Sequence, residues 1–181
     1  TMERKIQDFM VYRGRALEIY SYPLTGAKLL EQADWNVMNE NLVLANALSP
    51  ETDRMRPSLV PSLLDKAALN QKFHSKFRLF EVGRSYLENE ADFSEDRHQL
   101  GIIYYDKNDS PFMDVLNLVG DLLENLSLNA RIQAPNPKFG NPLVAENWSG
   151  RHPHEFLDIN IRGKVCGFIN TIHPLMCRNF K

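Results

Sequence analysis

Five side chains of the kinds that ligate zinc, His152, His154, Cys166, His173 and Cys177, lie in the C-terminal part of the chain. On a strand, His152-Pro153-His154 would set two imidazoles on one face. The residue types suit a metal, but the spacing does not. No Cys-x-x-Cys pair and no His-Glu-x-x-His motif occurs, and histidines scattered in this way ordinarily serve as hydrogen-bonded surface or core groups. A Ser-His-Asp hydrolase lacks its Gly-x-Ser-x-Gly elbow, and no glycine-rich loop offers backbone N–H groups to a phosphate. Two cysteines make no disulfide framework, so both are expected as free thiols. Catalytic, cofactor-binding and metal residues are thus all assigned as none. Lys72, Lys76 and Arg78 follow the central helix, where positive charge offsets the macrodipole. Arg131, Lys138 and Arg151, near a proline-rich loop, are the candidates for an RNA-binding platform.

The elements that would carry these residues follow from periodicity. Ile6, Phe9 and Met10 share one face of a first helix, with Gly14 as its C-cap. Leu17 to Tyr22 is a strand stopped by Pro23; a short helix covers Thr25 to Ala33, and Leu42 to Ala45 is a buried strand. Strands Phe77 to Leu87 and Gln99 to Asp106 flank Glu88 to Asp96, an acidic stretch expected as an exposed connection. Ser110 is expected to cap the clearest helix, with Pro111 in its first turn and Phe112, Val115, Leu116, Val119, Leu122, Leu123 and Leu126 as its stripe. A strand near Ala130 to Ala134 leads to the turn-rich loop Pro135 to Pro142. Leu157, Ile159 and Ile161 then alternate with Asp158, Asn160 and Arg162, predicting one buried and one wet face. Gly163-Lys164 is expected to turn the chain into Val165 to Ile172. Strands without βαβ regularity predict an α+β domain with a mainly antiparallel sheet flanked by helices.

With 181 residues, the chain suits a single domain, 1–181, burying roughly 70% of its unfolded surface. Its 43% hydrophobic and 24% charged residues place it among globular rather than disordered or membrane proteins. No apolar run approaches the roughly 20 residues that span a bilayer, and Thr1-Met2-Glu3-Arg4-Lys5 leads into no signal-peptide core, so a cytoplasmic setting is the default. A net charge of −2 supplies no long-range pull on nucleic acid.

Most of this chain is organised around Asn46 to Tyr86. Ser49-Pro50 is a turn, and Met55-Arg56-Pro57-Ser58-Leu59-Val60-Pro61-Ser62-Leu63-Leu64 opens a helix whose Leu59, Val60, Leu63, Leu64, Ala67 and Ala68 should pack on a sheet. Leu79-Phe80-Glu81-Val82-Gly83-Arg84-Ser85-Tyr86 reads as a strand, interrupted at Gly83 where something comes close to the backbone. Asn46-Ala47-Leu48-Ser49-Pro50-Glu51, Met55 to Leu64 and Leu79 to Arg84, in this order and spacing, resemble the catalytic-like module of the beta subunit of bacterial phenylalanyl-tRNA synthetase. The resemblance runs from about Tyr20 to Pro174, and implies that the chain is a piece of a longer polypeptide.

What it implies for fold is the core of a class II aminoacyl-tRNA synthetase. In that class a strand carries Phe-Arg-x-Glu, whose arginine meets the ATP α-phosphate. With Phe80 in the Phe position, Glu81 falls at the arginine's place and Gly83 at the glutamate's. An anion there cannot stabilise charge developing on a transferred adenylyl group. Arg84, an odd number of residues from Glu81, projects to the opposite face. The glycine-rich third motif ending in Glu-Arg has no match either. Near the C-terminus, His152-Pro153-His154-Glu155 and Asn170-Thr171-Ile172-His173-Pro174 stand where the family would have His-Pro-Gly-Arg and Gly-Glu-Leu-His-Pro; the two His-Pro pairs remain, as turn punctuation. The implied role is a non-catalytic subunit-interaction module in an assembly of two alpha and two beta chains. The alpha subunit would bind ATP and magnesium and attach phenylalanine to tRNA(Phe), so no cofactor is expected on this chain. Apolar surface left over from the core should then appear as a patch. The alternative is a stand-alone class II synthetase-like enzyme with its own adenylating activity, for which Arg54, Arg56 and Arg84 are the cations available to ATP.

Overall fold

A computed structural model describes residues 1–35, 42–89, 92–136, 138, 140–144 and 147–180. The first helix, α1 (Met2–Tyr12), is capped by Thr1, whose hydroxyl accepts from the Arg4 N–H at 3.4 Å, and Glu3 lies in its positive first turn. Ile6, Phe9 and Met10 pack as their spacing predicts. Its end differs from expectation: the left-handed residue is Arg15, with φ 50°, rather than Gly14. Gly14 is needed for a different reason, since a Cβ there would come 2.6 Å from the carbonyl oxygen of Met10.

Strand β1 is only Leu17–Glu18, short of the expected Leu17 to Tyr22. Thr25 joins strand β2 (Leu24–Thr25) and is lost to the helix that follows, α2 (Ala27–Gln32). β2 pairs antiparallel with β3 (Arg54–Met55). The strand expected at Leu42 to Ala45 is reduced to one bridge, Val43 to Arg54, because β3 is too short to template more. Ser49 and Pro50 form the expected turn, a 3-10 segment over Pro50–Thr52 in which the Ser49 hydroxyl accepts from the Glu51 N–H at 3.2 Å.

Helix α3 (Val60–Asn70) carries Pro61 in its first turn and buries Pro61, Ser62, Leu63 and Leu64. It lies against a long hairpin, β4 (Lys76–Asn89) and β5 (Asp92–Asp106), with β1 parallel on the far side of β4. The acidic stretch is not a loop: the ladder continues through Tyr86 opposite Asp96 and Leu87 opposite Glu95 to Asn89 opposite Asp92. Backbone pairing alone sustains the overhanging end of a hairpin, so the apolar alternation that marks a half-buried strand stops before the strand does. Glu90 lies outside the described residues.

Helix α4 (Phe112–Asn125) has Pro111 at its N-cap position with no side-chain cap, so Ser110 is not the cap; the Ser110 N–H donates to Asp109 Oδ1 at 2.8 Å. Strands β6 (Ala130–Gln133), β7 (Phe156–Ile161) and β8 (Lys164–Asn170) form a separate antiparallel sheet, followed by α5 (Pro174–Asn179). The β7–β8 turn is centred on Arg162-Gly163, at φ 51° and 81°, one residue earlier than expected. Two successive positive φ values match the right-handed twist of the strands. Burial along β7 is also inverted: Phe156 and Asp158 are buried, whereas Leu157 and Ile159 are half-buried. Of the proline-rich loop, Pro137 and Phe139 lie outside the described residues.

The result is α+β, with its strands divided among three small sheets, of which the first contains one parallel pairing. One core joins Met10, Ala16, Phe80 and Leu118 beneath one face of β4–β5. The other joins Ala33, Leu64, Val144, Trp148, Met176 and Phe180, with the Trp148 indole N–H donated to the carbonyl of Ala33 at 2.8 Å.

Candidate functional site

Alternation along β4 decides where chemistry could sit. Phe80 and Val82 point into the core beneath α1 and α4, which sends Glu81 and Gly83 to the face under the start of α3. Glu81 is 2% exposed there. A carboxylate so far from water must be paired, since an isolated buried charge costs several kcal/mol. Its partner is Arg56, 4% exposed and delivered by the segment between β3 and α3. Arg56 Nη1 lies 2.7 Å from Glu81 Oε1 and donates also to the Ser21 hydroxyl at 2.6 Å; that hydroxyl in turn donates to Glu81 Oε2 at 2.6 Å. The guanidinium Nε closes the set by donating to the carbonyl of Arg84 at 2.7 Å. Backbone bonds fix the segment itself, from Arg56 N–H to the Pro23 carbonyl at 3.0 Å and from Tyr86 N–H to the Arg56 carbonyl at 2.9 Å.

Gly83 is the close approach that the sequence implied. A Cβ there would overlap Arg56 Nη2 and lie 3.0 Å from Glu81 Oε1. On the neighbouring strand, Gly101 stands opposite Glu81, and a Cβ there would meet Leu63 at 2.5 Å and Leu59 at 3.2 Å. Two glycines therefore let α3 and the Arg56 segment settle onto the sheet. Arg56, Leu59 and Leu63 thus cover this face of β4 and β5.

The three arginines considered for ATP do not converge. Arg54 holds Asp53 at 2.8 Å, which keeps that carboxyl below its usual pKa; Arg56 is committed to Glu81; Arg84 points to the opposite face and pairs with Asp96 at 3.0 Å. Among the described residues Arg56 is the one buried arginine or lysine, and it is spent on Glu81. Lys76 and Arg78 are likewise taken, by Asp106 at 2.8 Å and Asp114 at 3.3 Å.

His152, His154 and His173 do come together, with ring centroids 6.3 Å and 6.2 Å from His152. Two of the three, His152 and His173, use Nδ1 to cap local backbone turns. His152 Nδ1 accepts from the backbone N–H groups of His154 and Glu155 at 3.3 and 3.0 Å, and His173 Nδ1 accepts from that of Leu175 at 3.2 Å. Among the described residues no group of three His, Cys, Asp or Glu is placed to hold a metal ion. Cys166 and Cys177 are not joined in a disulfide, and both are exposed rather than buried or half-buried.

Of the proposed RNA platform, Arg131 lines a cavity beside β7, while Arg151 is drawn away to stack over Phe156 at 4.3 Å. Sequence reasoning missed Ser21 and the commitment of Arg56 to Glu81. The available signal was Glu81 itself, an acid in an apolar strand that needed a cationic partner.

The fold as a whole has a counterpart among solved structures. A pyrrolysyl tRNA synthetase, PylSc, from Desulfitobacterium hafniense superposes with a TM-score of 0.67 over 99% of this chain and 60% of its own, at 12% sequence identity. The whole chain, residues 1–181, matches the family described as the phenylalanyl tRNA synthetase beta chain CLM domain, and belongs to it. Relatives include phenylalanine–tRNA ligase beta subunits of Clostridium acetobutylicum, 27% identical over 97% of this chain, and of Yersinia pestis, 29% identical over 94%. The chain spans 22% of the length of each.

Proposed function

We propose that this chain is a structural, subunit-docking module of a phenylalanine–tRNA ligase beta subunit, and that ATP-dependent attachment of phenylalanine to tRNA(Phe) is carried out on a partner alpha subunit that holds ATP and magnesium. The observation that carries the reading is the internal neutralisation of Glu81 by Arg56. Adenylation draws most of its acceleration from cations aimed at developing phosphate charge. Here the buried cation is turned onto the chain's own acid, and reopening it would leave Glu81 unpaired. The same arrangement argues against a stand-alone adenylating enzyme.

A docking module also needs a surface to dock. Tyr12, Leu17, Tyr20 and Tyr22, at the end of α1, in β1 and in the stretch between β1 and β2, are 81%, 69%, 76% and 65% exposed. Aromatic residues of this kind are what stable interfaces bury at their centres. The relatives' designation as beta subunits implies a partner alpha subunit, and that chain is the occupant proposed for this surface.

Co-purification of the matching alpha chain with this domain, and its loss in a Tyr12→Ala, Tyr20→Ala variant that melts at the wild-type temperature, is the expected result. A folded domain that ignores alpha, or that binds ATP with magnesium tightly in a calorimeter, overturns the proposal.

A further inference from the structure

The two His-Pro pairs, which the docking role leaves unused, meet in one hub. Each imidazole caps the turn that its own proline opens: His152 Nδ1 holds the N–H groups of His154 and Glu155, and His173 Nδ1 holds that of Leu175 at the start of α5. Asn170, the last residue of β8, joins the two. Its Oδ1 accepts from the His152 N–H at 2.9 Å, and its Nδ2 donates at 2.9 Å to the Gly150 carbonyl, which also accepts from the His173 N–H at 3.1 Å. The hub stands on the second core. A Cβ on Gly150 would overlap the Trp148 ring, and Met176 of α5 is buried in the same cluster as Trp148. At its other end α5 is tied to α2, where Gln32 Nε2 donates to the Asn179 carbonyl at 2.6 Å.

A ring nitrogen that accepts a hydrogen bond carries no hydrogen, so the neutral rings of His152 and His173 hold theirs on Nε2. That tautomer gives Nε2 no lone pair to offer a metal. It also makes both caps conditional on neutrality. A proton taken up by either ring goes to Nδ1, the one vacant nitrogen, and turns an acceptor into a donor that faces other donors. Ring centroids lie 6.2 Å apart for His152 and His173 and 6.3 Å apart for His152 and His154, so imidazolium rings would repel as well. The surrounding charge offers little relief. Among the described residues no ion pair includes a histidine. Arg151 on the turn and Arg178 on α5 have the same sign as the imidazolium, and Glu155, the nearest carboxylate in sequence, belongs to none of those pairs. Asp34 is engaged by the Ser149 N–H at 3.0 Å and Asp158 of β7 by the Asn141 amide at 2.7 Å, while α2 adds Lys28 and Glu31, one of each sign.

We infer that His152 and His173 form an acid-sensitive latch: neutral, they clip the 150–155 turn and α5 to one another through Asn170; protonated, they let both go. The step is the gain of one proton at each Nδ1, and the bonds it breaks are the hydrogen bonds that nitrogen held. What loosens is the edge of the second core, at Trp148 and Met176. The network of Arg56, Glu81 and Ser21 contains no histidine and stays closed. Carboxylates ordinarily titrate about two pH units below histidine, so acid loss through them is a separate event.

The test is hydrogen exchange read by mass spectrometry on the full-length polypeptide that carries the domain, at about pH 7.5 and about pH 5.5, either side of the range in which histidine ordinarily titrates. After correction for intrinsic exchange, protection of the amides in 150–155 and 173–179 should fall on the order of tenfold at the lower pH, the worth of about one hydrogen bond, while β4 and β5 keep theirs. His152→Asn with His173→Asn supplies side-chain oxygens that cap at either pH. The paired variant should lose the acid response and hold the protection seen at the higher pH. Should it fail to fold, His173→Asn alone decides: α5 should cease to respond, and the 150–155 turn should still do so. Equal protection of the wild type at both pH values overturns the inference, as does a fall shared equally by β4 and β5, or an acid response that persists where asparagine has replaced the histidine.

Discussion

Gly83 and Arg56 occupy one another's space: a methyl group on the glycine would overlap the arginine's Nη2. Because Arg56 is buried and held by Glu81, Ser21 and the carbonyl of Arg84, it has no free rotamer to retreat into. Gly83→Ala should therefore destabilise the domain by about 1–3 kcal/mol, the usual cost of overpacking. Urea denaturation followed by circular dichroism measures it. An unchanged midpoint would mean that the Arg56 segment does not rest on β4.

The ion pair itself makes a sharper prediction. Glu81→Ala or Arg56→Ala each strands a buried charge, at a cost of about 3–5 kcal/mol. Glu81→Leu combined with Arg56→Met removes both charges and should cost much less than the sum of the two single changes. A double-mutant cycle reads the difference directly. Additive losses would show that the two side chains do not depend on one another.

How much of this was legible beforehand depends on what each residue answers to. Ile6, Phe9 and Met10, or Val119 and Leu122, lie where periodicity puts them because an apolar stripe has one way to be buried. Glu81 and Gly83 were readable as an anomaly in a strand, but their partners were not. Ser21 is 60 residues from Glu81 in sequence and Arg56 is 25, and no local pattern encodes that meeting. Asp158 shows the opposite failure. Alternation assigned it to the wet face, yet Asn141, 17 residues earlier in a proline-rich loop, satisfies it in the interior. The pairing of Tyr86, Leu87 and Asn89 with Asp96, Glu95 and Asp92 was not legible because hydrogen-bonded backbone leaves no mark on side-chain chemistry.

A second core prediction concerns Trp148. It is 4% exposed, packs edge-on to Trp35 at 5.3 Å between centroids, and ties the chain back to Ala33 by its indole N–H at 2.8 Å. Trp148→Phe keeps an aromatic ring but leaves the Ala33 carbonyl without that donor. About 1–3 kcal/mol should be lost. Trp148→Ala adds a cavity and should cost about 3–5 kcal/mol. A Trp148→Phe variant as stable as the wild type, by thermal or urea melts, would rule out a separate contribution from the hydrogen bond.

Acid should weaken the fold at the far end of the same hairpin. Asp106 stands opposite Lys76, whose ammonium donates to its Oδ2 at 2.8 Å, and the Asn108 N–H donates to Oδ1 at 3.0 Å. These bonds, Lys76 first, hold the carboxyl below its ordinary pKa. A group more acidic in the folded than in the unfolded chain contributes stability above the unfolded value, about 3.9, and loses it as pH falls through the lower folded one. Stability should thus decline from near pH 4 downward. Asp53, held low by Arg54, acts in the same direction. Asp106→Asn should lower stability at neutral pH and flatten the acid side of the curve, because the difference in proton uptake at that position is gone. Chemical denaturation at a series of pH values between 3 and 7 provides the measurement. An acid slope that the substitution leaves untouched would assign the sensitivity to other carboxylates.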